Sequence, residues 1–218
     1  MKFSRFYFTL CGVLSIILCF SFCRSMQHAP KSVEAVDLGL TSGTKWATCN
    51  VGASSPEEIG SYFAWGETKK KKEYSLKTYF DAHYETFTVD GYNCISGTKY
   101  DVATTSWGAE WAMPTAMQAY ELYVECQWTW TENYKSTGVA GMICTGPNGN
   151  HIFFPSGGLI MGREHSYTDY GNYWTGSLER YNNIDWANFI DFNNRGLTLS
   201  YLSRDHRYWG RNIRPVKK

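Results

Sequence analysis

The sequence has 218 residues, a formal net charge of +1, and aromatic and charged fractions of 17% and 19%. A chain of this size suits one domain that buries about 70% of its unfolded surface. Nothing in it is basic enough to hold nucleic acid electrostatically except Lys69 to Lys72, and a lysine run in a polar stretch reads as a solvated loop.

The N-terminus reads as a targeting segment. Lys2 and Arg5 precede an apolar run from Phe6 to Phe22, and no acidic residue occurs before Glu34. A positive start ahead of such a run is a secretory signal. The run falls short of the about 20 apolar residues that cross a bilayer. The expected division is therefore a signal peptide at 1–25, a tether at 26–34 and one domain at 35–217, in an exported protein of the cell envelope (outer membrane or periplasm) or a secreted one. Cys23 is a candidate lipidation site, although the large Phe22 before it disfavours that processing. Removing residues 1–25 takes away Lys2, Arg5 and Arg24 and lowers the formal charge from +1 to −2.

Of seven cysteines, Cys11, Cys19 and Cys23 leave with the signal, and Cys49, Cys94, Cys126 and Cys144 remain. Export permits disulfides, and four cysteines allow three pairings. Buried thiols at Cys49 and Cys126, beside Trp46 and Trp128, are the competing reading.

Along the domain, Val36, Leu38 and Leu40 alternate with Asp37 and Gly39 as in a strand, and Lys45 to Val51 follows as a second. Ser54-Ser55-Pro56-Glu57-Glu58 has the residues of a helix start, cut short by Gly60. Tyr62 to Trp65 looks extended. Residues 68–103 show no sustained period and read as a long surface excursion. A Thr115-x-x-Gln118 capping box opens the clearest helix, on which Met117, Tyr120 and Val124 share one face up to an end near Cys126. Trp128-Thr129-Trp130-Thr131 alternates as a strand. Asn148-Gly149 turns the 138–145 segment into His151 to Phe154 as a hairpin. Tyr173 to Thr175 suggests a short strand. Trp186 to Phe192 and Leu197 to Leu202 flank Asn193 to Gly196 as another hairpin, and Asn212 to Val216 closes the chain.

Taken together, Val36-Asp37-Leu38-Gly39-Leu40, Lys45-Trp46-Ala47-Thr48-Cys49-Asn50-Val51-Gly52, Tyr62-Phe63-Ala64-Trp65-Gly66-Glu67, Trp111-Ala112-Met113-Pro114-Thr115, Asn148-Gly149-Asn150 with Phe154-Pro155, Tyr173-Trp174 and Arg211-Asn212-Ile213-Arg214-Pro215-Val216 form an ordered series. Over about residues 35–217 this resembles the Fibrobacter succinogenes major paralogous domain family of exported Bacteroidetes proteins. That family is similar to the C-type-lectin-like superfamily. The resemblance implies an α+β fold with twisted antiparallel sheets, one or two short helices, long irregular loops and termini on adjacent strands. It brings no established activity and no catalytic residues. The family usually has Arg where this chain has Ala112.

The same superfamily contains enzymes, whose signatures are not met. There is no late cysteine pair, since none follows Cys144, and no His-x3-His-x-Glu cluster among His28, His83, His151, His165 and His206. Gly146-Pro147-Asn148 and Trp186-Ala187-Asn188 lack the oxygen ligands that calcium requires. No Gly-x-Ser-x-Gly elbow occurs, and only Glu67, Glu110 and Glu164 stand as candidate paired carboxylates. The expectation is a binding or adhesion domain that is not an enzyme and has no cofactor. Its partner would be a glycan or an envelope or host protein. By the resemblance, its ligand face lies in the irregular region before the final strand, at Tyr167, Asp169, Tyr170, Asn172, Tyr173, Asp205, His206, Tyr208 and Trp209. Trp174 and Trp209 are also candidates for the core. Two rivals remain, a structural accessory of a surface assembly and a diverged enzyme.

Overall fold

A computed structural model describes residues 29–79, 94–181, 184–197 and 203–218. The expected signal segment and Cys23 lie outside this range. Residues 29–34, expected as a tether, rest on the domain through Ala29 and Val33, and the Ser32 hydroxyl donates to Ser54 O. Among the described residues no helix is long and apolar enough to cross a membrane.

The architecture is mostly antiparallel sheet with two short helices. The first sheet joins both ends of the domain. It runs in the order β1 (Ala35–Asp37), β2 (Lys45–Ala47), β13 (Val216–Lys217), β3 (Trp111–Ala112). Trp46 faces Val36 on one side and Val216 on the other, so the closing strand is locked beside the opening hairpin. A second sheet is the meander β4 (Gln127–Thr131), β5 (Gly141–Thr145), β6 (His151–Pro155). The Asn148-Gly149 turn expected between the last two is present, with Gly149 at φ +84° where a side chain would be strained. The third sheet is built on a long ribbon, β9 (Gly171–Tyr181) with β10 (Ile184–Asn193), to which β11 (Gly196–Leu197) and β12 (Ser203–Asp205) add. A small hairpin, β7 (Leu159–Met161) with β8 (Glu164–Ser166), completes the set.

The β9–β10 ribbon is the centre of the molecule because it is apolar on both faces. Trp174, Leu178, Ala187 and Phe189 point to one side and join Val51, Trp65, Trp107, Trp111 and Ile213. Tyr173, Ile190 and Phe192 point to the other and join Trp46, Met142, Cys144, Phe154 and Leu122. Polar residues interrupt both strands, and the buried ones, Asn172, Thr175 and Asn188, are covered along with the apolar side chains. A register shift between Ala187 and Phe189 marks a bulge in β10.

The helix expected after Thr115 is α2 (Ala116–Glu125). Its capping box forms as read, with Gln118 N donating to Thr115 Oγ1 and Thr115 N to Gln118 Oε1. The packed face is that of Ala119 and Leu122. The Met117, Tyr120 and Val124 face turns outward, with Met117 70% and Val124 53% exposed.

Two readings are corrected. The Ser54–Glu58 segment forms its capping contacts, Ser54 N to Glu58 Oε2 at 2.7 Å, but makes only turns. Gly60, at φ +79°, ends it before a helix can nucleate. The excursion at 68–103 contains a helix the periodicity did not reveal, since α1 (Val102–Trp107) starts inside it. Asp101 caps that helix, accepting from Ala103 N and Thr104 N, and also from Gly97 N and Met113 N. Burial pushes its carboxyl above the usual range, against the pull of those four N–H groups. Tyr74 and Tyr79 fasten the start of the excursion by donating to Tyr62 O and Trp65 O, and both are buried. Residues 80–93 lie outside the described range.

Candidate functional site

The nine residues expected on the ligand face separate into two surface groups and an interior pair. Asn172 and Tyr173 are interior, 4% and 0% exposed. Tyr173 donates its hydroxyl to Pro155 O at 2.5 Å and accepts from Asn50 Nδ2 at 3.3 Å. Burial pushes its phenol up to about 12. Asn172 Oδ1 accepts from Arg211 Nε at 3.4 Å. These two residues are corrected from ligand face to core, since strand β9 turns them under the surface. Trp174 is core as well, while Trp209 is only partly covered.

The first surface group is Tyr167, Asp169 and Tyr170, in the loop after β8. Tyr167 is 57% exposed and has φ +54°, and its ring meets that of Tyr170 edge-on at 5.8 Å. The second group is Asp205, His206, Tyr208 and Trp209, in the turn that follows β12. Strand β7 separates the groups. Ile160 exchanges both backbone bonds with Gly210 on one side, while Leu159 and Met161 pair with β8 on the other.

In the second group the aromatic rings touch one another. His206 is at the centre. Its ring lies 5.0 Å from Tyr208 at an interplanar angle of 16°, 5.2 Å from Trp209 edge-on, and 4.7 Å from Trp186. All four side chains are partly exposed. The turn holds its shape through His206 N donating to Asp205 Oδ1 at 2.7 Å and Trp209 N to His206 O. Its inner edge is anchored by Arg207, which is fully buried and sits over the Tyr79 ring, and by Arg211. The Arg211 guanidinium lies 4.2 Å from Trp174, 4.0 Å from Phe189 and 5.7 Å from Trp209, and its Nη2 donates to Asp205 Oδ2 at 2.6 Å. Burial lowers its pKa to about 10 despite that carboxylate. Half-buried Asp205 therefore sets a carboxylate beside the aromatic platform.

Trp186 belongs to this platform and escaped the sequence reading. It stands at the start of an apolar strand, where a buried ring is the default. Only the pairing of Ala187 with Asp205 brings it beside His206, and nothing local in the sequence signals that pairing. Its Nε1 is covered and without a hydrogen-bond partner.

The candidate carboxylates do not converge with this platform. Glu67 pairs with Lys71 at 2.8 Å, Glu110 with Lys217 at 3.6 Å, and Glu164 is on the exposed strand β8. His165 contacts the Tyr62 hydroxyl at 2.8 Å, beside Gly157 O, which the same hydroxyl also reaches. Burial raises the Tyr62 phenol above its ordinary range. Among the described residues no group of three or more His, Cys, Asp or Glu side chains is placed to hold a metal. An open cleft of about 490 Å³ runs along Pro30, Ser54, Glu58, Phe63, Lys70 and Trp107. Its carboxylate, Glu58, is occupied by Ser54. The four domain cysteines are thiols, as in the second of the two readings left open for them.

Compared with protein-family models, curated proteins and solved structures, the chain matches none of them.

Proposed function

We propose that this chain is an exported recognition domain of the Fibrobacter succinogenes major paralogous type. In this reading it has a C-type-lectin-like fold, performs no catalysis, and holds a glycan or protein ligand on the platform of Trp186, His206, Tyr208 and Trp209. The observation that carries the reading is the platform itself. Four aromatic side chains stay partly exposed in mutual contact, backed by Arg207 and Arg211 and edged by Asp205. Aromatic faces supply contact area at little entropic cost, and adjacent charges orient the ligand. The closing strand beside the opening hairpin supports the fold assignment, because the resemblance implies termini on neighbouring strands.

Glycan and envelope-protein arrays test this. The expected result is a hit that His206→Ala with Trp209→Ala abolishes and Tyr167→Ala with Tyr170→Ala leaves intact, with all variants melting cooperatively. Silence of the wild type on both arrays sinks the proposal, as does a hit indifferent to the first pair of changes.

The outward face of α2 favours a second reading, an accessory of a surface assembly, since Met117 and Val124 expose apolar area that the fold does not use. It predicts co-purification with an envelope complex that Met117→Lys disrupts.

A further inference from the structure

The sequence leaves three pairings open for the four cysteines of the domain, and the fold separates them. Trp128 stands opposite Cys144 in the β4–β5 ladder, so Cys126, two residues before Trp128, is the diagonal neighbour of Cys144 on the same face of the sheet. Their side chains are therefore neighbours on that face. The other two have hydroxyl neighbours. Cys49 Sγ lies 3.6 Å from Thr48 Oγ1, and Cys94 Sγ accepts from Ser177 Oγ at 3.8 Å. Cys126 is also the C-cap of α2, one residue outside the ladder, with its N–H bonded to Leu122 O, so bringing the sulfurs to bonding distance takes a shift of the helix end.

We infer that Cys126 and Cys144 are a redox pair that closes to a single intramolecular disulfide by thiol–disulfide exchange, leaving Cys49 and Cys94 as thiols. The two members differ in a way that orders the steps. Cys126 is partly exposed, whereas Cys144 is fully buried in the core. The hydrogen bond from Cys144 draws the Cys126 thiol below its ordinary pKa, and burial pushes the Cys144 thiol well above it. The Cys126 thiolate attacks the sulfur of an incoming disulfide, of the kind carried by glutathione or a dithiol oxidoreductase. One thiolate leaves as the mixed disulfide forms. Cys144 gives up its proton to solvent, attacks Cys126 Sγ and expels the second thiolate. The protein loses two protons and two electrons, and the incoming disulfide takes them up to become two thiols.

The test is to treat the full-length chain with oxidised glutathione, block remaining thiols, digest it and map the cysteines by mass spectrometry. The expected product is one cross-linked peptide joining residues 126 and 144, with Cys49 and Cys94 recovered as blocked thiols. Cys144→Ala should trap glutathione on Cys126, and Cys126→Ser should leave Cys144 unmodified. The second variant changes a partly exposed residue and keeps the test valid if the first fails to fold. A stable glutathione adduct on wild-type Cys126, a bridge through Cys49 or Cys94, or no reaction at Cys126 overturns the inference.

Discussion

Two arginines three residues apart, Arg214 and Arg211, show how the interior and the candidate face differ. Both are buried, at 0% and 1% exposure. Arg214 is held by neutral acceptors alone. Its Nε donates to Asn50 Oδ1 at 2.8 Å, Nη1 to Ala47 O and Thr48 O at 3.1 and 3.0 Å, and Nη2 to Phe153 O at 2.8 Å, with the Phe154 ring at 4.7 Å. One side chain thus fastens β2, β6 and the closing segment. Arg211 is paired with a carboxylate, Asp205, itself 20% exposed, and its Nη1 has no hydrogen bond. Burial lowers the pKa of both, as desolvation of a cation must. The contrast teaches that the first charge is a fastener, satisfied wherever it can donate, while the second supports a surface turn and can be given up at less cost.

Arg214→Met should therefore be the most damaging single change. It orphans the carbonyls of Ala47, Thr48 and Phe153 and the Asn50 side chain, at about 1–3 kcal/mol for each group left buried. Failure to fold, or a loss of more than about 4 kcal/mol in urea unfolding, is expected. Arg211→Met should cost under about 2 kcal/mol, because Asp205 can hydrate and a flexible apolar side chain fits between Trp174 and Phe189. Equal losses for the two would break the comparison. Asp205→Ala should lie between them, at about 2–3 kcal/mol. It strands the buried Arg211 charge and removes the acceptor of His206 N, and in the Arg211→Met background only the second part of its cost should remain.

How much of this was legible depends on the range of the interaction. The Thr115–Gln118 box, the Asn148-Gly149 turn and the alternation of Trp128 and Trp130 are local, and each gave its element. The shared face of Met117, Tyr120 and Val124 was legible as a face, but periodicity does not say which side is packed. The packed side is that of Ala119 and Leu122, which join Met142, Phe154 and Phe192 in the core. Strands β7, β8 and β12 are three residues each and carry no pattern, so their existence follows from pairing alone. The candidate site was half legible. His206, Tyr208 and Trp209 lie together, but Asn172 and Tyr173 share their polarity and are buried, and Trp186 arrives from a distant strand. Nothing in residues 207–214 distinguishes the fastening arginine from the supporting one.

The cysteines sharpen the same division on a smaller scale. The Cys126 thiol is held below its ordinary pKa by Cys144, and burial raises that of Cys49. With rising pH, alkylation of Cys126 should switch on first, below the ordinary thiol range, and Cys49 should follow above it. Site-resolved mass spectrometry across a pH series reads both midpoints, and the reverse order would contradict the arrangement.

The smallest stability effects belong to the surface that the fold leaves uncovered. Leu122→Ala on α2 removes a fully buried side chain and should cost about 2–5 kcal/mol. Met117→Lys, on the opposite side of the same helix, should change stability by no more than about 0.5 kcal/mol. Helix propensity cannot separate them, because Leu, Met, Lys and Ala are all good helix formers. The difference measures packing alone. A large cost for Met117→Lys in the isolated protein would mean that α2 is covered in solution, by a second copy or by residues outside the described range. Unfolding at two protein concentrations would tell these apart, since only a second copy makes the midpoint concentration-dependent.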